Sequence, residues 1–230
     1  MGRMSGTQSP LPVLVTGASR GLGAALALTL GSAGHHVVAV ARTVGGLEDL
    51  DDRIRRAGGT ATLAPLDITK PDAMQHLCLS IHQRWGGLGL WIHAAIHAAP
   101  LTPAPMVDDK DWAKSLATNV EATRRLIAYV APLLGQRTEA AAVFFDDPGA
   151  QGSFFASYGA TKAAQLALAR SWQAESLRTG PRVHVLTPAP MATATRARFY
   201  PGEDRAALAT PQHEAERLAA MILAQVPAAS

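Results

Sequence analysis

Short, uniformly apolar runs alternate along this chain with longer stretches in which apolar residues recur every three or four positions. Residues 11–16 (LPVLVT), 36–41 (HVVAVA), 61–66, 90–95, 141–145 and 183–187 read as strands, almost all of them without in/out alternation. The intervening segments 22–30, 47–57, 71–85, 112–134 and 157–178 read as helices, and 211–224 as a last one. A strand apolar on both faces has helices on both sides, and right-handed crossovers between parallel strands put them there. The pattern therefore predicts an α/β fold: a doubly wound parallel sheet of about six strands. Residues 188–211, with four prolines and no period, form the longest irregular segment and suit a lid over a site.

Composition narrows the class. With 230 residues, 48% hydrophobic and 17% charged, the chain can bury one large core, and no linker divides it. A single domain is expected over residues 11–226, after a flexible N-terminal stretch, residues 1–10. No apolar run is long enough to cross a membrane, and the polar N-terminus lacks the apolar centre of a secretory leader. Cys78 is the only cysteine, which excludes an internal disulfide or a cysteine-based zinc site and fits the cytoplasm. The net charge of +3 arises from basic residues scattered among acids, apart from short clusters such as Arg53, Arg55 and Arg56, so no nucleic-acid partner is expected. His93 and His97 fall at a strand end and in a loop with no carboxylate at ligand spacing, and no metal site is read from them.

The chemistry starts at the first turn, Thr16-Gly17-Ala18-Ser19-Arg20-Gly21-Leu22-Gly23, which lies directly between the first strand and the first helix. Its glycines permit a tight turn and close approach to a pyrophosphate, and the helix start adds free N–H donors and a positive dipole end. The second strand ends at Arg42, where a site for NAD(H) puts an acidic residue to hold the ribose 2′-hydroxyl. Arg42 and Arg20 are both placed to meet a 2′-phosphate, which points to NADP(H). Tyr158 and Lys162, four apart at the start of a helix, share one face just beyond the fifth strand.

These motifs, together with Asp67 in Leu66-Asp67-Ile68 and Asn119 in the long helix, resemble the short-chain dehydrogenase/reductases over about residues 11–196. The resemblance implies a Rossmann fold and hydride transfer between a nicotinamide and a small-molecule carbonyl or alcohol. By it, Asp67 bonds the adenine amino group and Ile68 flanks the ring, Ala94 and Ala95 line the cofactor, and Pro188 and Thr193 sit by the nicotinamide amide. Lys162 would bind the nicotinamide ribose and lower the Tyr158 pKa, so that Tyr158 trades a proton with a substrate oxygen. Asn119 would hold a water linking Lys162 to solvent. A homodimer or homotetramer built on the long helix and the Tyr158 helix is implied as well.

The sequence departs from the family pattern in three places. His93-Ala94-Ala95-Ile96 replaces the usual Asn-Asn-Ala-Gly after the fourth strand. No serine lies between Val143 and Gly152, where the family's catalytic serine belongs; Asp146 is nearest to its position, and a protonated Asp146 could serve as donor in its place. The family's seventh strand has no counterpart. Two readings follow: an NADP(H)-dependent oxidoreductase with Tyr158 as acid/base, or a catalytically weak or silent NADP(H)-binding regulatory or scaffold protein.

Overall fold

The computed structural model describes residues 11–135, 139–178 and 180–225; the expected N-terminal stretch 1–10 lies outside the described residues. Within them the order is β1 (Val13–Thr16), α1 (Gly21–Ser32), β2 (His36–Ala41), α2 (Val44–Arg56), β3 (Thr60–Pro65), α3 (Pro71–Trp85) and β4 (Leu90–His93). There follow α4 (Asp109–Ser115), α5 (Ala122–Leu134), β5 (Ala141–Phe145), α6 (Ala156–Glu175), β6 (Arg182–Leu186), α7 (Ala194–Phe199) and α8 (Pro211–Gln225). All strands pair in parallel, in the order β3-β2-β1-β4-β5-β6. This is the doubly wound sheet the apolar runs predict, and it ends at β6 among the described residues.

Strand side chains alternate between two cores, which is why the runs are apolar throughout. Val13, Val15, Val37, Ala39, Ile92 and Val143 pack under α1, α2 and α8, while Leu14, Val38, Val40, Trp91, Ala142 and Phe144 pack under α3, α5 and α6. Local signals set the boundaries. Pro71 opens α3 and Gly86, left-handed at φ 77°, closes it; the Asp108 side chain accepts from the Lys110 and Asp111 amides to start α4.

Three expectations need correction. The helix expected at 112–134 begins earlier, at Asp109, and carries a π-helical segment, Leu116–Glu121, between α4 and α5. A wider turn inserts one residue into the helical ladder and shifts the faces on either side of it. Trp112 is accordingly 37% exposed, while Leu126 and Val130 are buried. The fourth strand stops at His93 rather than 95; the Ala94 amide, donating to the Thr16 carbonyl at 2.9 Å, makes the last bond of its ladder with β1. Residues 188–211 are not wholly irregular: Thr193 accepts from the Arg196 amide and nucleates α7, and Asp204 caps a short 3-10 turn.

Helix α1 and the α2–β3 turn meet backbone to backbone at Gly31 and Gly59. A Cβ on Gly59 would run into the Gly31 carbonyl, whereas one on Gly45, in the first turn of α2, would meet open space. Gly59→Ala is expected to lower unfolding stability by about 1–3 kcal/mol through overpacking. Gly45→Ala should raise it by roughly 0.5 kcal/mol by restricting the unfolded chain. Urea denaturation of the two variants checks both signs.

Candidate active site

Because every strand runs the same way, all carboxyl ends lie on one edge, and the sheet order reverses between β1 and β4. A cleft of about 640 Å³ opens there. The turn between β1 and α1 forms its floor. Gly17 is held at φ 88° by its amide bonding to the Val40 carbonyl, and a Cβ on it would sit 2.6 Å from the Ala95 nitrogen. A Cβ on Gly23 would strike the Gly17 carbonyl, so both positions need glycine for α1 to press onto the end of β4. No side chain caps α1, and its first turn holds no acidic residue, which leaves its positive end facing the cleft for an anion.

Every site residue expected from sequence lines this cleft, except Asn119. Gly17, Ser19, Arg20, Gly21, Leu22 and Gly23 form the turn, and exposed Arg20 and Arg42 stand at one mouth. Asp67 and Ile68 line a second wall; Asp67 Oδ1 accepts from the Thr69 amide and hydroxyl, both at 2.9 Å. Ala94, Ala95, Pro188 and Thr193 lie between that end and the pair Tyr158 and Lys162. The turn geometry, the open helix end and two arginines fit a dinucleotide carrying a 2′-phosphate.

At the other end the two aspartates that follow β5 turn to different partners. Asp146 turns away to accept from Arg170 at 3.1 Å and from the Asp147 amide at 2.7 Å. Asp147, the next residue, accepts the Tyr158 hydroxyl at 2.9 Å through Oδ2. Successive side chains at a strand end point to opposite sides, so a one-residue difference decides which carboxylate faces the tyrosine. Burial and the Asp147 carboxylate hold the Tyr158 proton well above the ordinary phenol range, opposite to the depression expected from Lys162.

Lys162 is buried and donates to Gln165 Oε1 at 2.8 Å; burial lowers its pKa to about 8 against the opposing pull of Asp147 and Asp146. Asn119 makes no direct side-chain hydrogen bond to Lys162. The Asn119 side chain accepts from the His97 amide (2.7 Å) and donates to the His97 carbonyl and the Thr161 hydroxyl (2.9 Å each), clamping the loop after β4 to α6. Lys162 instead continues through Gln165 Nε2, which donates to Thr123 at 3.0 Å, to His93, whose Nε2 lies 2.9 Å from the same hydroxyl. Thr123 donates its one proton to the Asn119 carbonyl at 2.8 Å, so His93 Nε2 carries a proton and Nδ1 accepts from Thr16, 2.8 Å away. His93 serves here as a structural link, a role its place in the sequence does not announce, and Gln165 and Thr123 carry no motif that reveals them.

Phe199 and Tyr200, on and just after α7, also line the cleft beside the tyrosine, with the Phe199 ring centroid 5.0 Å from that of Tyr158. Arg196 pairs bidentately with Glu203 at 2.5 Å and lies 4.6 Å over the Tyr200 ring. No cluster of three metal-ligating side chains occurs among the described residues, and no described helix is long and apolar enough to cross a membrane.

The comparisons with known proteins agree with this geometry. The family model for short chain dehydrogenases matches residues 12–204. A fatty acyl-CoA reductase of Mycobacterium tuberculosis is 30% identical over 193 residues, covering 80% of this chain and 66% of that protein's length. The short chain dehydrogenase from Shigella flexneri superposes with a TM-score of 0.84 at 26% identity, over 94% of this chain and 85% of that one. A metagenomic short-chain oxidoreductase in complex with NADP gives a TM-score of 0.79 at 26% identity, over 96% and 93% of the two chains.

Burial, with the Lys162 charge adding to it, drops the His93 pKa from 6.5 to about 3, so the native protein keeps this ring neutral while the unfolded chain protonates it below pH 6.5. Its contribution to stability is complete above pH 6.5 and is lost as pH falls toward 3. Between pH 7 and pH 5 the wild type should lose about 2 kcal/mol more unfolding stability than His93→Asn. Urea titrations of both proteins at the two pH values measure the difference.

Proposed function

Because the chain belongs to the short chain dehydrogenase family, we propose that it is an NADP(H)-dependent oxidoreductase that reduces a small polarised double bond, in the first instance a carbonyl, or runs the reverse oxidation of an alcohol. The observation that carries this reading is the convergence on one cleft of the glycine turn, Arg20 and Arg42, and the Tyr158–Lys162 pair. In it, the amides at the start of α1 hold the pyrophosphate, Arg20 and Arg42 hold the 2′-phosphate, and Asp67 and Ile68 flank the adenine. Ala94, Ala95, Pro188 and Thr193 wall the nicotinamide end, and Lys162 reaches the ribose. A bound nicotinamide supplies or takes two electrons with a hydrogen. Tyr158 carries the proton, and Asp147 rather than Asp146 is the residue that meets it at the substrate. The metagenomic relative's NADP complex supports the choice of cofactor.

The alternative, a catalytically weak or silent regulatory or scaffold protein, draws only on the missing serine; in this reading Asp147, bonded to the tyrosine, stands in for it. The reading includes a cytoplasmic protein, with its single thiol at Cys78 buried and pushed up to about 12. It includes a homodimer or homotetramer through α4, α5 and α6, where Trp112, Ala163 and Ala167 are exposed while Ala169 and Trp172 are taken into the chain's own core. Sedimentation velocity at micromolar concentration should give a species of two or four chains.

NADPH should bind at least tenfold more tightly than NADH, about 1.4 kcal/mol, and Arg42→Asp should erase or reverse the difference. Fluorescence titration of both cofactors checks it. Tyr158→Phe should leave the NADPH dissociation constant within about threefold while lowering NADPH oxidation on a carbonyl panel by about 100-fold or more.

A further inference from the structure

The residue bonded to Tyr158 is an anion where reduction of a carbonyl calls for a neutral donor. A carboxylate oxygen only accepts hydrogen bonds. It repels the lone pairs of a carbonyl oxygen and opposes the negative charge that builds there during reduction, whereas it attracts an N–H⁺ group. Resting on the NADP(H) reading above, we propose that the substrate of this site is a protonated C=N compound, a small cyclic iminium, recognised by Asp147 and the aromatic rings beside it.

Three further observations carry this. The neighbouring ionic groups are already paired, Asp146 with Arg170 and Arg196 with Glu203; Lys162 and Arg196 act on Asp147 only at longer range, and no basic side chain among the described residues forms an ion pair with it. Lys162, the nearest cation along α6, is held by Gln165 and not by the carboxylate. Aromatic rings stand beside Asp147: Phe199 packs on Tyr158, and the Tyr200 hydroxyl lies 3.0 Å from where a Gly149 Cβ would stand, on the loop that follows Asp147, while the Tyr200 ring face already carries the Arg196 guanidinium. A carboxylate in a partly desolvated, largely apolar pocket favours an organic cation over a neutral carbonyl.

The step balances with a reduced nicotinamide as co-reactant. Two electrons and one hydrogen pass to the iminium carbon, the C=N π pair withdraws onto nitrogen, and the positive charge there is discharged to give a neutral amine and oxidised cofactor. No proton is needed at nitrogen during transfer, because the substrate brings it. A substrate present in water as the neutral imine takes its proton from solvent before it binds, so Tyr158 keeps its strongly held proton. Asp147 therefore acts on capture of the protonated form, and its contribution falls on kcat/KM.

The test compares 2-methyl-1-pyrroline with 2-methylcyclopentanone, matched in ring size, using NADPH and the wild type, Asp147→Asn and Asp147→Ser. In parallel, calorimetry measures 2-methylpyrrolidine, as its ammonium, against 2-methylcyclopentanol on the NADPH-loaded protein, where no turnover occurs. The expected wild-type preference for the imine is at least 100-fold in kcat/KM, and the ammonium should bind at least tenfold more tightly than the alcohol. Asp147→Asn should lose tenfold or more on both imine turnover and ammonium binding, and Asp147→Ser should move the preference toward the ketone. NADPH binding with equal or better reduction of the ketone, or an ammonium affinity unchanged by Asp147→Asn, overturns the imine assignment and leaves the oxidoreductase reading in place. Failure of NADPH itself to bind overturns that reading and this one with it.

Discussion

The site depends on one steric constraint, the seating of the β1–α1 turn on the backbone that leaves β4. Gly17 fits against Ala95 only because it has no side chain, and its left-handed backbone is pinned by the Val40 carbonyl of the next strand. That contact fixes the start of α1 at the point where the strand order turns back on itself, so a positive helix end faces an open crevice rather than another element. The second wall inherits its position from the same register. Thr16 pairs with His93 across β1 and β4, and the Thr16 side chain carries the hydrogen bond that orients the His93 ring.

From His93 the order passes inward through polar groups that an apolar core tolerates only when each is satisfied. Thr123 sits where the ladder returns from the π-helical segment to α5, and it joins the Asn119 carbonyl, His93 and Gln165 at one oxygen. Gln165 then fixes Lys162 from behind. The Tyr158–Lys162 end of the cleft is thus anchored to the glycine-turn end through a chain of neutral groups rather than through ion pairs. A charge there would meet the desolvation that already keeps the His93 ring unprotonated.

Much of this was legible in the sequence. Uniformly apolar runs cannot be half-exposed strands, so the two-sided sheet followed from them directly, and the glycine turn and the Tyr158 to Lys162 spacing are local patterns whose geometry travels with them. What was not legible depends on direction rather than spacing. Asp146 and Asp147 are adjacent, and nothing in the sequence says which one the end of β5 turns toward Tyr158. The π-helical segment leaves no periodic mark, because a single inserted residue resembles noise in a helical pattern. Helix α7 is short and its prolines lie outside it, so its start rests on the Thr193 cap alone. Gln165 and Thr123 look like ordinary helix residues until the fold brings them within 3.0 Å of each other.

Beneath the cleft, Trp91, Phe144 and Trp172 form a stack of edge and tilted contacts, with ring centroids 5.3 to 6.3 Å apart, and the His93 ring lies 5.2 Å from Trp91. Trp91 is fully buried on the strand whose end forms the wall of the site. Two indoles in a rigid, dry setting emit light at wavelengths that a dihydronicotinamide absorbs and an oxidised nicotinamide does not. A reduced nicotinamide held in the cleft above would take up part of that emission and an oxidised one would not, so the packing that holds β4 in place also sets two of the chain's four indoles where they would report the cofactor's redox state.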